Sequence, residues 1–145
     1  MPFIPLYELF PEIAKRETRT IHILNDARFD LPSAEYAFIE MFCDDPGCDC
    51  RRVFFSVVST LTEKPVPLAV IAYGWEKYEF YEKWSHGDEP EIIKNLMEPS
   101  LNISSPQSQF ANGILDLFCK MLLTDREYID RVKRHYRIFR EKIDG

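Results

Sequence analysis

Cys43-Asp44-Asp45-Pro46-Gly47-Cys48-Asp49-Cys50-Arg51-Arg52 separates two apolar, β-rich runs and holds three of the chain's four cysteines. On its N-terminal side, residues 35–43 alternate as a strand does. One face carries Ala37, Ile39, Met41 and Cys43; the other carries Tyr36, Phe38, Glu40 and Phe42. The first face is wholly apolar and is expected to meet helices. The second, with its glutamate, is expected to be mixed and partly wet. On the C-terminal side, residues 52–60 (Arg-Val-Phe-Phe-Ser-Val-Val-Ser-Thr) are β-branched and aromatic, which suits a pleated, half-buried surface. Asp45-Pro46-Gly47 has the chemistry of a chain reversal. The stretch therefore reads as a hairpin end bearing thiols.

Working outward, residues 18–24 and 68–73 read as two further strands, the latter closed by Gly74. Short links between consecutive strands favour an antiparallel meander. Before them, Pro2, Pro5 and Pro11 keep any helix short, and Pro11 suits a first helical turn. Residues 25–33 read as a loop. Residues 75–84 fit a short helix, with Phe80 and Trp84 four apart, and a second short helix is expected to start near Pro90.

The C-terminal third predicts a helical hairpin over 106–123 and 125–143. Ser105-Pro106 has the form of an N-cap with proline at the first helical position. Phe110, Ile114, Leu117, Phe118 and Leu122 recur at helical spacing. Thr124 with Glu127 reads as a capping box. Tyr128, Val132, His135, Tyr136, Phe139 and Ile143 make the second apolar stripe. The expectation is one α+β domain spanning residues 1–145, an antiparallel sheet of about four strands with this hairpin on one face.

Hydrophobic residues form 46% of the chain and aromatics 14%, enough for a packed core rather than a disordered tail. A net charge of −6 disfavours nucleic acid and anionic lipid as partners. No apolar run approaches the length of a membrane span. The first residues lack the basic and apolar regions of a signal peptide, so a cytoplasmic location is expected. In that compartment clustered cysteines suit metal ligation or redox chemistry better than permanent disulfides.

The spacing of Cys43, Cys48 and Cys50 is C-x4-C-x-C. Zinc takes four ligands in a tetrahedron, and three from one loop lower the entropy of assembly. Cys48 and Cys50 point the same way if the segment is extended. Three thiolates around Zn²⁺ leave a charge of −1, which Arg51 and Arg52 are placed to offset. The fourth ligand stays open among His22, His86, His135, Cys119 and a loop aspartate. His135 lies on an apolar helix face, where a hydrogen-bonded core histidine is the commoner finding, and Cys119 reads as a small hydrophobe.

Two alternatives use the same loop or none of it. A thiol-based redox protein or enzyme would exploit a reactive cysteine, since a Cys48–Cys50 disulfide closes a strained, easily reduced ring. Asp44, Asp45 and Asp49 can serve as acids or bases, or simply as turn residues. An interaction module would rest on the aromatic segment 73–84 and on the last helix, where residues 125–145 carry a net +2. That charge reads more simply as a solvated face with paired ions. No G-x-G-x-x-G, G-x4-G-K-[ST], G-x-S-x-G or H-E-x-x-H is present.

The run 42–53 (Phe-Cys-Asp-Asp-Pro-Gly-Cys-Asp-Cys-Arg-Arg-Val), Tyr73-Gly74-Trp75, Glu79-Phe80-Tyr81 with Trp84, Pro106-Gln107 and Arg134-His135-Tyr136 together resemble a family of uncharacterised bacterial proteins. The likeness spans nearly the whole chain. It implies a bacterial-type, single-domain protein and supplies no substrate, cofactor or catalytic residue.

Overall fold

The computed structural model describes residues 3–24 and 28–145. Residues 25–27 of the expected 25–33 loop lie outside them; residues 28–33 are turn and coil. The chain runs β1 (Phe3–Pro5), α1 (Leu6–Leu9), α2 (Pro11–Glu17), β2 (Arg19–Ile23), β3 (Ala34–Cys43), β4 (Arg52–Ser59) and β5 (Ala69–Gly74). It continues α3 (Tyr78–Trp84), α4 (Pro90–Met97), β6 (Ser100–Leu101), α5 (Ala111–Leu117), a π-helical turn (Phe118–Leu122) and α6 (Arg126–Asp144).

The four expected strands are present within one or two residues of their expected ends. Every pairing is antiparallel, as the α+β reading requires. Two short strands, β1 and β6, bring the sheet to six. The sheet order is β1-β3-β4-β5-β6, and β2 also pairs with β3. Because β4 occupies one edge of β3, β1 and β2 share the other: β1 against 41–43, β2 against 34–38. α1 and α2 are the excursion between them.

The face assignment of β3 is reversed. Tyr36, Phe38, Glu40 and Phe42 are all buried, while Ala37, Ile39 and Met41 are half-exposed. Tyr36, Phe38 and Phe42 join Val53, Phe55, Val57, Ala69 and Ile71 in the main core, against Ile114, Leu117, Phe118, Leu122, Tyr128, Val132, Tyr136 and Phe139. Three aromatic rings contribute more buried apolar area than Ala37, Ile39 and Met41, and the one glutamate among them has a partner from α6. Behind the sheet, a smaller cluster stacks Phe3 on Phe54 at 4.2 Å, with Cys43, Cys50, Val70 and Ala72.

The helical hairpin differs at both N-termini. Residues 106–110 are not helical, and α5 begins at Ala111. Gln107 instead acts as a surrogate strand: its Oε1 accepts from Val70 N, and its Nε2 donates to the Val70 and Asn102 carbonyls. These bonds tie the segment to the β5 backbone at Val70 and outweigh the cap signal at Ser105-Pro106. The expected capping box at Thr124 is replaced. Asp125 is the N-cap, its carboxylate accepting from Tyr128 N, and Thr124 Oγ1 donates back to Lys120 O. The π turn, in which Leu123 N donates to Phe118 O, places Phe118 among Phe38, Phe55 and Tyr73.

Candidate functional site

The cysteine loop joins β3 to β4 at the end of the sheet where α6 terminates. Asp45 to Cys48 is a β-turn: Cys48 N donates to Asp45 O at 3.2 Å, with Pro46 and Gly47 at its centre. Gly47 has φ +75°, the left-handed value that the third position of a type II turn needs. The Asp-Pro-Gly reading of the sequence is thus met by a specific geometry.

α6 clamps this loop through side chains four residues apart. Tyr136 Oη accepts from Arg51 N at 3.1 Å and donates to Asp49 Oδ1. Arg140 donates to the carbonyls of Cys43 and Asp45. Asp144 Oδ1 accepts from Gly47 N at 2.7 Å and from Arg140. From the other side, Tyr81 Oη donates to Arg51 O, passing close over Gly74, where any side chain would meet both this hydroxyl and the Leu96 carbonyl. Arg51 adopts φ +50° and is held there by Asp49, Glu76 and the face of Phe80.

Within the clamp, Cys43 and Cys50 are buried and Cys48 is partly exposed. The Cys48 thiol lies near enough to Cys43 and Cys50 for each to influence its ionisation. The peptide groups two residues on, at Asp45 for Cys43, Cys50 for Cys48 and Arg52 for Cys50, act to lower each thiol. Burial is the stronger influence, however, and pushes all three thiols above their ordinary value.

The arginines divide their work. Arg52 is buried, donates through Nε to Leu96 O, and its charge acts on Cys50 and Cys48. Arg51, expected beside the sulfurs, turns instead to Asp49 and Glu76, because carboxylates bind a guanidinium more strongly than thiols do. Arg140 supplies the second cation, 8% exposed, whose charge is felt at Cys48.

The candidate fourth ligands fare unequally. His22 sits at the far end of the sheet, paired with Glu35 at 3.1 Å. His86 is exposed in the turn after α3 at φ +61°. Cys119 is half-buried in the π turn, against the main core. Asp49 has both oxygens engaged. Asp45 is exposed, its charge near enough to Cys43 to raise that thiol further. His135 is fully buried between two carboxylates, with Nδ1 2.7 Å from Glu40 Oε1 and Nε2 2.7 Å from Glu17 Oε1. Among the described residues no three or more His, Cys, Asp or Glu side chains are set as an assembled metal sphere.

Sequence reasoning missed Arg140, Tyr136 and Asp144 as the loop's supports. Their i, i+4, i+8 spacing was available, but Tyr136 was read as part of the apolar stripe and the helix's charges as a solvated face. No family model, curated protein or solved structure matches the chain. Among the described residues no helix is long and apolar enough to cross a membrane.

Proposed function

We propose that the loop binds one soft divalent metal ion, zinc foremost, through Cys43, Cys48 and Cys50, and that the ion's role is to fix the β3–β4 connection. The observation that carries this reading is the grouping of three free thiols in one loop clamped by α6. The donor set suits zinc: thiolate sulfur is its preferred ligand, and a bound cation removes the thiol protons that burial otherwise retains. Three thiolates and Zn²⁺ leave one negative charge, and the buried Arg52 and Arg140 lie beside it. The partly exposed Cys48 leaves the fourth position to water or an external donor.

The thiol-redox alternative draws less support. A reactive cysteine needs a lowered pKa, and here all three are raised. Metal analysis of reduced, untagged protein tests the proposal. About one equivalent is expected, lost on Cys48→Ser. Less than about a tenth of an equivalent, with none taken up on adding zinc to the reduced protein, overturns it.

A further inference from the structure

A neutral imidazole carries one N–H, yet both ring nitrogens of His135 lie 2.7 Å from carboxylate oxygens. Each gap requires a proton. The array of Glu17, His135 and Glu40 therefore holds two protons among three groups. They sit either on the ring, as imidazolium, or one on the ring and one on a glutamate.

The reason for the array is written in the strand register. Ile39 and Glu40 fall between the parts of the β3 edge covered by β1 and by β2. Extending the β2–β3 register by two residues sets Glu17 opposite Glu40. Glu17 itself closes α2, and two carboxylates brought level in this way repel. The His135 ring, delivered by α6, stands between them.

Beyond this array α2 is held by a small apolar contact, with Ile13 packed half-buried against the core. Ala14 is its one buried residue. A groove of about 300 Å³, lined by Pro11, Ala14, Lys15 and Thr18 with Ala37 and Ile39, runs along it. We infer that the Glu17–His135–Glu40 array is a proton-dependent latch, which fixes α2 to α6 and β3 while both protons are present and loosens α2 when one leaves.

Charges from every neighbouring element shape this behaviour. From α6, Arg134 donates to Glu17 Oε1 at 2.6 Å and Arg131 to Glu17 O at 3.3 Å. Tyr128, also on α6, lies near Glu40, its hydroxyl buried without a hydrogen-bond partner among the described residues. From β2, Arg19 lies over the Tyr128 ring and pairs with Asp125. Arg134 and Arg131 keep Glu17, the last residue of α2, tied to α6 after the ring proton has gone, so α2 loosens without detaching.

The signs agree with this picture. Burial opposes the charged ring, but Glu40 and then Glu17 outweigh it, and His135 is raised. The bond from His135 holds Glu17 below the usual carboxylate range. The histidine contribution is complete below about 6.5 and fades as pH rises through the raised value. The Glu17 contribution is present above about 4.3 and fades as pH falls through the lowered one. The latch is therefore tightest between those two values.

Ring ¹⁵N shifts of the full chain, followed from about pH 5 to about pH 9, test it directly. The expected result is a His135 transition above the ordinary value of about 6.5. Exchange protection of α2 amides, corrected for intrinsic rates, should fall through the same transition while that of Phe55 and Val57 holds. Glu17→Gln should lower the transition. Arg134→Gln, at an exposed position, should raise it, which keeps the test decisive if the first variant fails to fold. A His135 transition at or below the ordinary value overturns the latch, as does α2 protection that ignores the transition. A variant that folds and moves His135 the other way, or not at all, overturns it too.

Discussion

The cysteine loop and the carboxylate–histidine array lie on neighbouring faces of one helix and were built by opposite means. The loop's chemistry is local: three cysteines and a turn fall within eight residues, and α6 only braces them. The array is assembled from residues 95 and 118 apart in sequence, with no local motif at all. One is visible as spacing and leaves its ligand open. The other is invisible as spacing and fully specified by distance. A pattern of residue types finds candidate chemistry; only packing decides which polar side chains are structural.

The largest expected effect breaks the array. Glu40 is 3% exposed, so Glu40→Ala leaves a buried ring without its inner partner. A loss of about 3–5 kcal/mol is expected in urea unfolding near neutral pH. Glu17→Ala should cost markedly less, since that carboxylate is 24% exposed and water can replace it. Equal losses would mean that the two carboxylates do not differ in burial as described.

Next in size is the brace of the loop. Arg140→Ala removes the donors to two carbonyls and to Asp144, and a loss of about 3 kcal/mol is expected. Cys48 should also become more quickly labelled by a thiol reagent, because the turn it follows loses its anchor. An unchanged labelling rate would show that the turn holds itself and that α6 is a bystander.

Metal removal comes third. If free zinc is held a hundredfold above its dissociation constant, chelation should lower unfolding stability by about 2.7 kcal/mol. Cys48→Ser should abolish that difference while leaving the His135 titration unmoved. A chelator effect that survives the substitution would place the ion elsewhere.

How much of this was legible depends on the range over which each feature is decided. The four long strands, Pro11 and Pro90 at helix starts, and the turn at Gly47 follow from neighbours in sequence, and the structure has them. The inward face of β3 was misread because Glu40 was weighed as a wet residue. Its neutralising partner, His135, lies on the last helix, and nothing near residue 40 announces it. Ser105-Pro106 carries a sound cap signal, yet Gln107 finds the Val70 backbone and the helix begins only at Ala111. Arg51 and Arg52 look equivalent beside the cysteines. Arg52 opens β4 and enters the packed end of the sheet, while the left-handed backbone at Arg51 turns its side chain out to Asp49 and Glu76.

The smallest prediction is the control that sharpens the comparison. His22 and Glu35 form the same kind of pair as His135 and Glu40, directly opposite across β2 and β3 at 3.1 Å. Their side chains are 66% and 47% exposed, against 0% and 2% for the buried pair. In water the attraction is screened and the rings must give up rotamer freedom, so an exposed pair contributes little. His22→Ala should change unfolding stability by less than about 0.5 kcal/mol, and added salt should erase what remains. The His135 array, shielded by the sheet and α6, should keep its effect in salt. If His22→Ala proves as costly as disrupting the buried pair, burial is not what separates the two, and the reason given for the latch fails with it.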